Sequence, residues 1–193
     1  PVYGWMKTAT ANLNFTQNNF DNWAGGGVDS WSWILDVNAN FDREEEKYSW
    51  TNAFDIAFGQ SQLADDDARK AADEWKFESV YTRKLGTLVN PYAAFTARSQ
   101  FTAGYDYSTD PKMEFSNFLD PGYFTQSAGV AYQPNEIFQT RFRVAVQETI
   151  VGSDETALIY ADGDDPRIEY GAESITDVNY QINETTLYTS KLE

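Results

Sequence analysis

The 193 residues include no histidine and no cysteine. Without cysteine there is no disulfide framework and no thiol chemistry. Without histidine, the side chain that most often serves as general base, transition-metal ligand and pH switch is missing. Barrel proteases and lipases of membranes generally rely on such a base, so both classes are disfavoured. Long apolar runs are absent too. No stretch approaches the roughly 20 consecutive apolar residues of a spanning helix, which excludes a transmembrane helix but not a β-barrel, whose strands alternate. Basic residues are scarce: 14 Lys and Arg stand against 30 Asp and Glu, a formal charge of −16. A polyanion needs a basic surface, so nucleic acid is not an expected partner. No leader opens at Pro1, and with the strand pattern below the chain is expected to be a mature form.

Aromatic residues, by contrast, are abundant at 16%, although the mean hydropathy is only −0.57. Large rings in a polar chain suit elements that show rings on one face and polar groups on the other. The local pattern agrees. In 5–16, Ala9, Ala11, Leu13 and Phe15 alternate with Thr8, Thr10, Asn12 and Asn14. In 29–42, Trp31, Trp33, Leu35, Val37, Ala39 and Phe41 alternate with polar residues, and only Ile34 breaks the rule. This is the period of a β-strand, not of a helix. The same alternation recurs over 48–59, 75–82, 93–105, 124–133, 138–150 and 168–180, and a ninth strand begins near Thr186.

The expected connections alternate in length. Segments 17–28, 60–74, 109–122 and 151–167 are long; 43–47, 86–90, 134–136 and 181–185 are short. Outer-membrane barrels show this asymmetry between extracellular loops and periplasmic turns. The rings fall toward both strand ends, Trp5, Tyr48 and Trp50 at one and Trp33, Phe58 and Trp75 at the other, as expected of two interfacial girdles. The opposite face is mainly Thr, Ser, Asn, Gln, Ala and Gly, whereas a soluble exterior is richer in Lys and Glu. The expected fold is an all-β, antiparallel, up-and-down transmembrane β-barrel forming a single domain over 1–193. Nine strands are an awkward number for such a barrel, so closing strands are expected beyond the ninth, about 12 in all.

The first long loop reads Gln17-Asn-Asn-Phe20-Asp-Asn22-Trp23-Ala24-Gly25-Gly26-Gly27. Following an amphipathic strand, it resembles an element of an uncharacterised family of outer-membrane barrel proteins from Bacteroidetes- and Chlorobi-type bacteria, known as a domain of unknown function. The stretches 171–177 and 187–192 also look family-like, so the resemblance extends over nearly the whole chain. It implies a barrel in the bacterial outer membrane, with the lipid bilayer and other outer-membrane subunits as partners, and it brings no established activity.

Two groups of residues are candidate sites. Asp36, Asp55 and Glu78 lie near mid-strand on the polar face of the second to fourth strands, and Arg98, Arg141, Arg143 and Glu173 on later ones. If that face lines a lumen, these charges form either a field across a constriction or a set of salt bridges closing it. In the first long loop, Gln17, Phe20, Asn22, Trp23, Gly25 and Gly26 present an aromatic ring beside glycines. Such a loop either docks a sugar or a partner, or plugs the barrel mouth. The acidic clusters 65–67 and 162–165 have no EF-hand spacing and read as solvated loops. No cofactor and no catalytic residue are expected. The functional expectation is an outer-membrane barrel acting as a channel or structural subunit. The competing expectation is a secreted β-sandwich that binds carbohydrate through exposed aromatics.

Overall fold

The computed structural model describes residues 3–21, 24–135, 137–161, 166–183 and 186–192. Nine strands form one antiparallel sheet: β1 (Gly4–Asn18), β2 (Ser30–Glu44), β3 (Tyr48–Leu63), β4 (Arg69–Arg83), β5 (Val89–Ser99), β8 (Gly122–Tyr132), β9 (Phe138–Ile150), β10 (Arg167–Asn183) and β11 (Thr186–Leu192). They lie in the order β1-β2-β3-β4-β5-β8-β9-β10-β11. Each strand thus pairs with its neighbour in the sheet, as an up-and-down meander requires. Two short strands, β6 (Gly104–Asp106) and β7 (Met113–Ser116), form a separate hairpin between β5 and β8, and one helix, α1 (Asp154–Tyr160), sits between β9 and β10. The sheet is open, with β1 and β11 as its two edges. The all-β antiparallel expectation therefore holds, while a closed barrel is not present.

The period-two alternation survives with its polarity turned outward. Phe142 and Val144 of β9 are 53% and 55% exposed, and Tyr170 of β10 is 80% exposed. On the other face, residues of β3, β4, β5, β8, β9 and β10 line one shared cavity of about 320 Å3. A cavity shared by six strands requires the sheet to curl toward its polar side. The apolar side chains therefore cover the convex face. Among the described residues only Ala97, Ala157 and Ala161 are buried hydrophobics, so the sheet has no apolar core of the usual kind.

Aromatic pairs collect at both ends of the convex face. At the end bearing the turn 45–47, Trp5 and Trp50 have centroids 5.9 Å apart, Tyr48 and Tyr81 stack at 5.4 Å, and the Arg43 guanidinium lies 5.8 Å over the Trp5 ring. At the other end Trp33 meets Phe58 at 5.8 Å, and Trp75 meets Phe118 at 6.5 Å. Ile34, the exception to the alternation, projects onto the polar face opposite Gly59. A Cβ on Gly59 would come within 2.4 Å of the Trp33 carbonyl oxygen and 2.8 Å of Ile34 Cγ1. The glycine makes the break in the pattern tolerable.

Three boundaries differ from those expected. The fifth strand was expected over 93–105 but stops at Ser99, which leaves Phe101 and Ala103 in the loop and Tyr105 in β6. The cause is Asp73, whose carboxylate accepts hydrogen bonds from the backbone N–H groups of Phe101 and Thr102 and from the Thr102 hydroxyl. Donors that would have continued the ladder point instead to a side chain. The connection expected over 60–74 shrinks to 64–68, because β3 and β4 continue past Gly59 through a bulge at Gly59/Gln60. It is no longer than 84–88, so the alternation of loop lengths is less strict than expected. Finally, 151–166 is not loop throughout. Ser153 caps α1 by accepting from Thr156 N, and the Thr156 side chain reciprocates, which is the capping-box arrangement. Ala157 and Ala161, one turn apart, are the buried face at this helix's end.

Candidate functional site

Directly paired residues of neighbouring strands share a face, so the register shows which charges meet. One row across the polar face runs Asn38, Asp55, Lys76, Arg98, Tyr123 and Thr149. A second runs Glu78, Thr96, Thr125 and Gln147. A third runs Thr82, Tyr92, Gly129, Arg143 and Glu173. Asp36 lies one rung beyond Asn38, opposite Ala57, and Arg141 lies opposite Ala131 and Ile175.

The seven charges read from the sequence therefore share one face, with Asp36, Asp55 and Glu78 on β2 to β4, Arg98, Arg141 and Arg143 on β5 and β9, and Glu173 on β10. Arg143 forms an ion pair with Glu173 on the adjacent strand. Arg141 donates from Nη2 to Asp177 Oδ2 at 2.8 Å. Glu78 lies 3.3 Å from Lys76 Nζ, and Asp55 accepts from Asn38 Nδ2 at 2.7 Å. Arg98 makes no ion pair among the described residues; its guanidinium sits 4.5 Å over the Tyr123 ring. Lys76 and Asp177 complete the belt. Both stood in the polar register of their strands, which was the one signal available for finding them. Glu78, Arg141 and Arg143 line the 320 Å3 cavity together with Tyr92, Asn90 and Gln139. At the turn end Lys84 closes the rim by an ion pair to Glu44.

Each of these ion pairs is about one-third exposed or more on at least one partner. Pairs of that exposure contribute little stability singly. Chemically the face offers matched donors and acceptors across a narrow concavity, with most charges neutralised by neighbours. Groups of three or more side chains arranged to hold a metal ion are absent among the described residues.

The loop candidate is described in part. Gln17 falls inside β1, where its Nε2 donates to Asn19 Oδ1 at 3.2 Å. Phe20 N donates to Asp29 Oδ1 at 2.7 Å. The Phe20 ring lies over Gly27, where a Cβ would meet its Cδ1 at 2.5 Å. Gly25 stands in a turn and Gly26 has φ +74°, a left-handed conformation that glycine adopts without penalty. The loop is thus closed on itself by a ring, a carboxylate and glycines. Asn22 and Trp23 lie outside the described residues, as do Asp162, Asp164 and Asp165 of the second acidic cluster. In the first cluster, Asp66 pairs with Arg69 at 3.1 Å.

No curated protein and no solved structure matches the chain. The stretches 171–177 and 187–192 fall outside the family match, which is narrower than the resemblance read from the sequence. That match covers β2 to β5 in full and contains the Phe20 loop: residues 15–105 are similar to the family described as a protein of unknown function, DUF3078.

Proposed function

We propose that this chain forms the wall of an outer-membrane β-barrel without catalytic role, acting as a channel or as a structural subunit of a membrane assembly. The observation that carries the reading is the outward-turned polarity: apolar side chains cover the convex face, and charged and amide groups line the concave one. In water, a face bearing Phe142, Val144, Tyr170 and Val130 would need a second layer to bury it. A sandwich would supply a second sheet, and the described residues contain only the two-stranded β6–β7 hairpin besides the main one. Lipid covers such a face without any further protein.

Strand length and ring placement support the same reading. Eight of the nine strands of the main sheet, from 11 residues in β5 and β8 to 17 in β10, reach or exceed the roughly 9–11 residues that a tilted strand needs to cross a bilayer, while β11 has 7. The two clusters of rings, at opposite ends of the convex face, match interfacial girdles. Closure would come from further strands pairing with the edges at β1 and β11, because an unpaired edge is not tolerated in hydrocarbon. The neighbour-neutralised charges of the concave face fit a narrow, polar-lined lumen better than one with a strong transverse field.

Membrane fractionation tests this directly. The protein is expected in the detergent-extracted fraction, with gel migration that changes on heating. Recovery in the soluble fraction without detergent would defeat the reading. Conductance in planar bilayers then separates a channel from a structural subunit.

A further inference from the structure

At the loop end of the concave face lies a second cavity of about 320 Å3, within the range of roughly 300–1,000 Å3 usual for small-molecule clefts. Its floor is the outer part of β4, β5 and β8. Its walls are Phe115 and Ser116 of the β6–β7 hairpin and Tyr160 of α1. The hairpin is pinned in place: Asp73 holds the loop that leads into it, and the Arg69 guanidinium lies 4.5 Å over Tyr107. The cavity is therefore assembled from the sheet and both of its structured loops.

We propose that this cavity binds a neutral saccharide. Two of its polar side chains are uncommitted among the described residues. Arg98 makes no hydrogen bond or ion pair there, and its guanidinium lies over the Tyr123 ring. Glu74 lines the cavity and has no hydrogen-bond or ion-pair partner there. A guanidinium offers only donors and a carboxylate only acceptors, so the set as a whole matches hydroxyl groups, which do both. Rings of Phe115, Tyr123 and Tyr160 add flat apolar faces against which the C–H face of a sugar packs. Burial, with Tyr123 and Asp120 nearby, raises the Tyr160 phenol above its ordinary pKa and keeps it a donor.

Charge narrows the class. Glu74 on the floor, on a chain of net charge −16, repels an anion, while Arg98 repels an organic cation. A neutral polyol meets neither penalty. This site stands on its own geometry and does not depend on the membrane reading.

The test uses the full chain in detergent, titrated with maltose, cellobiose and galactose and followed by calorimetry and aromatic fluorescence. Galacturonate and glutamate serve as charged comparators. At least one neutral sugar is expected to bind, and Arg98→Gln and Glu74→Gln are each expected to weaken it about tenfold or more. Gln126→Ala, outside this cavity, leaves the affinity unchanged. Should Arg98→Gln fail to fold, Glu74→Gln at an exposed position carries the same comparison. No signal from any neutral sugar at tens of millimolar overturns the proposal. So does tighter binding of galacturonate or glutamate, or unchanged affinity in both folded variants. Recovery of the protein without detergent would defeat only the membrane reading, since sugar binding is measured separately.

Discussion

Asp73 shows how one side chain redirects a strand. Its side chain is 1% exposed and also pairs with Lys70 at 2.9 Å, so both carboxylate oxygens are engaged in ending β5 and anchoring the loop that follows. Asp73→Ala is expected to cost on the order of 3 kcal/mol, since it orphans two backbone donors and removes the charge partner of Lys70, which keeps only Thr102 O and Gln100 Oε1 as acceptors. Urea unfolding of the detergent-solubilised protein reads that loss, and new protease cleavage within 100–121 localises it. Gly129 is the second such position. A Cβ there would come within 2.2 Å of the Phe142 carbonyl oxygen and 2.9 Å of Arg143 Cα. Gly129→Ala is expected to destabilise by roughly 1–3 kcal/mol through overpacking, measured by the same unfolding curve. Neither role was legible in the sequence. Asp73 fell in a polar stretch read as loop, and Gly129 in a strand whose pattern says nothing about what lies opposite.

Among the strands, the charges of the concave face act in pairs. The sequence placed Asp36, Asp55, Glu78, Arg98, Arg141, Arg143 and Glu173 on one face, because parity along a strand is enough for that. Which charge meets which depends on register, and register depends on turn lengths and bulges that parity does not encode. Arg143 and Glu173 prove to be direct cross-strand partners. Arg143→Glu and Glu173→Arg are each expected to lower the unfolding midpoint, and the exchanged pair to recover part of it. A coupling of about 0.5–3 kcal/mol is the expected size for contacting residues; strict additivity would show that the pair contributes nothing. The outer arms of β3 and β4 illustrate the same limit. The run Arg69-Lys70-Ala71-Ala72-Asp73-Glu74 has no alternation, yet it forms strand by pairing with β3.

For the molecule as a whole, one substitution separates lipid from water on the convex face. Val144 is 55% exposed in the middle of β9. On a soluble protein, Val144→Arg at such a position would change stability by no more than about 0.5 kcal/mol. Facing the bilayer midplane, it is expected to cost about 2–4 kcal/mol, falling toward zero for substitutions near the interfaces. Refolding into lipid vesicles with a denaturant titration measures the difference. A depth-independent, near-zero cost would remove the membrane reading.

Alternation, composition and charge were sufficient, without any structure, to specify an antiparallel meander, its strand count in the main sheet and the division of residues between its two faces. These follow from the pleat, which sends successive side chains to opposite sides whatever the partner. Only the tertiary structure decided that the polar face is the concave one, since the direction of curl is a property of the whole sheet. It alone brought Glu74, Arg98, Ser116 and Tyr160 to one cavity from four elements far apart in the chain. It also showed β1 and β11 to be the open edges, where the sequence had offered only an awkward strand count, because which strands pair depends on contacts between distant segments.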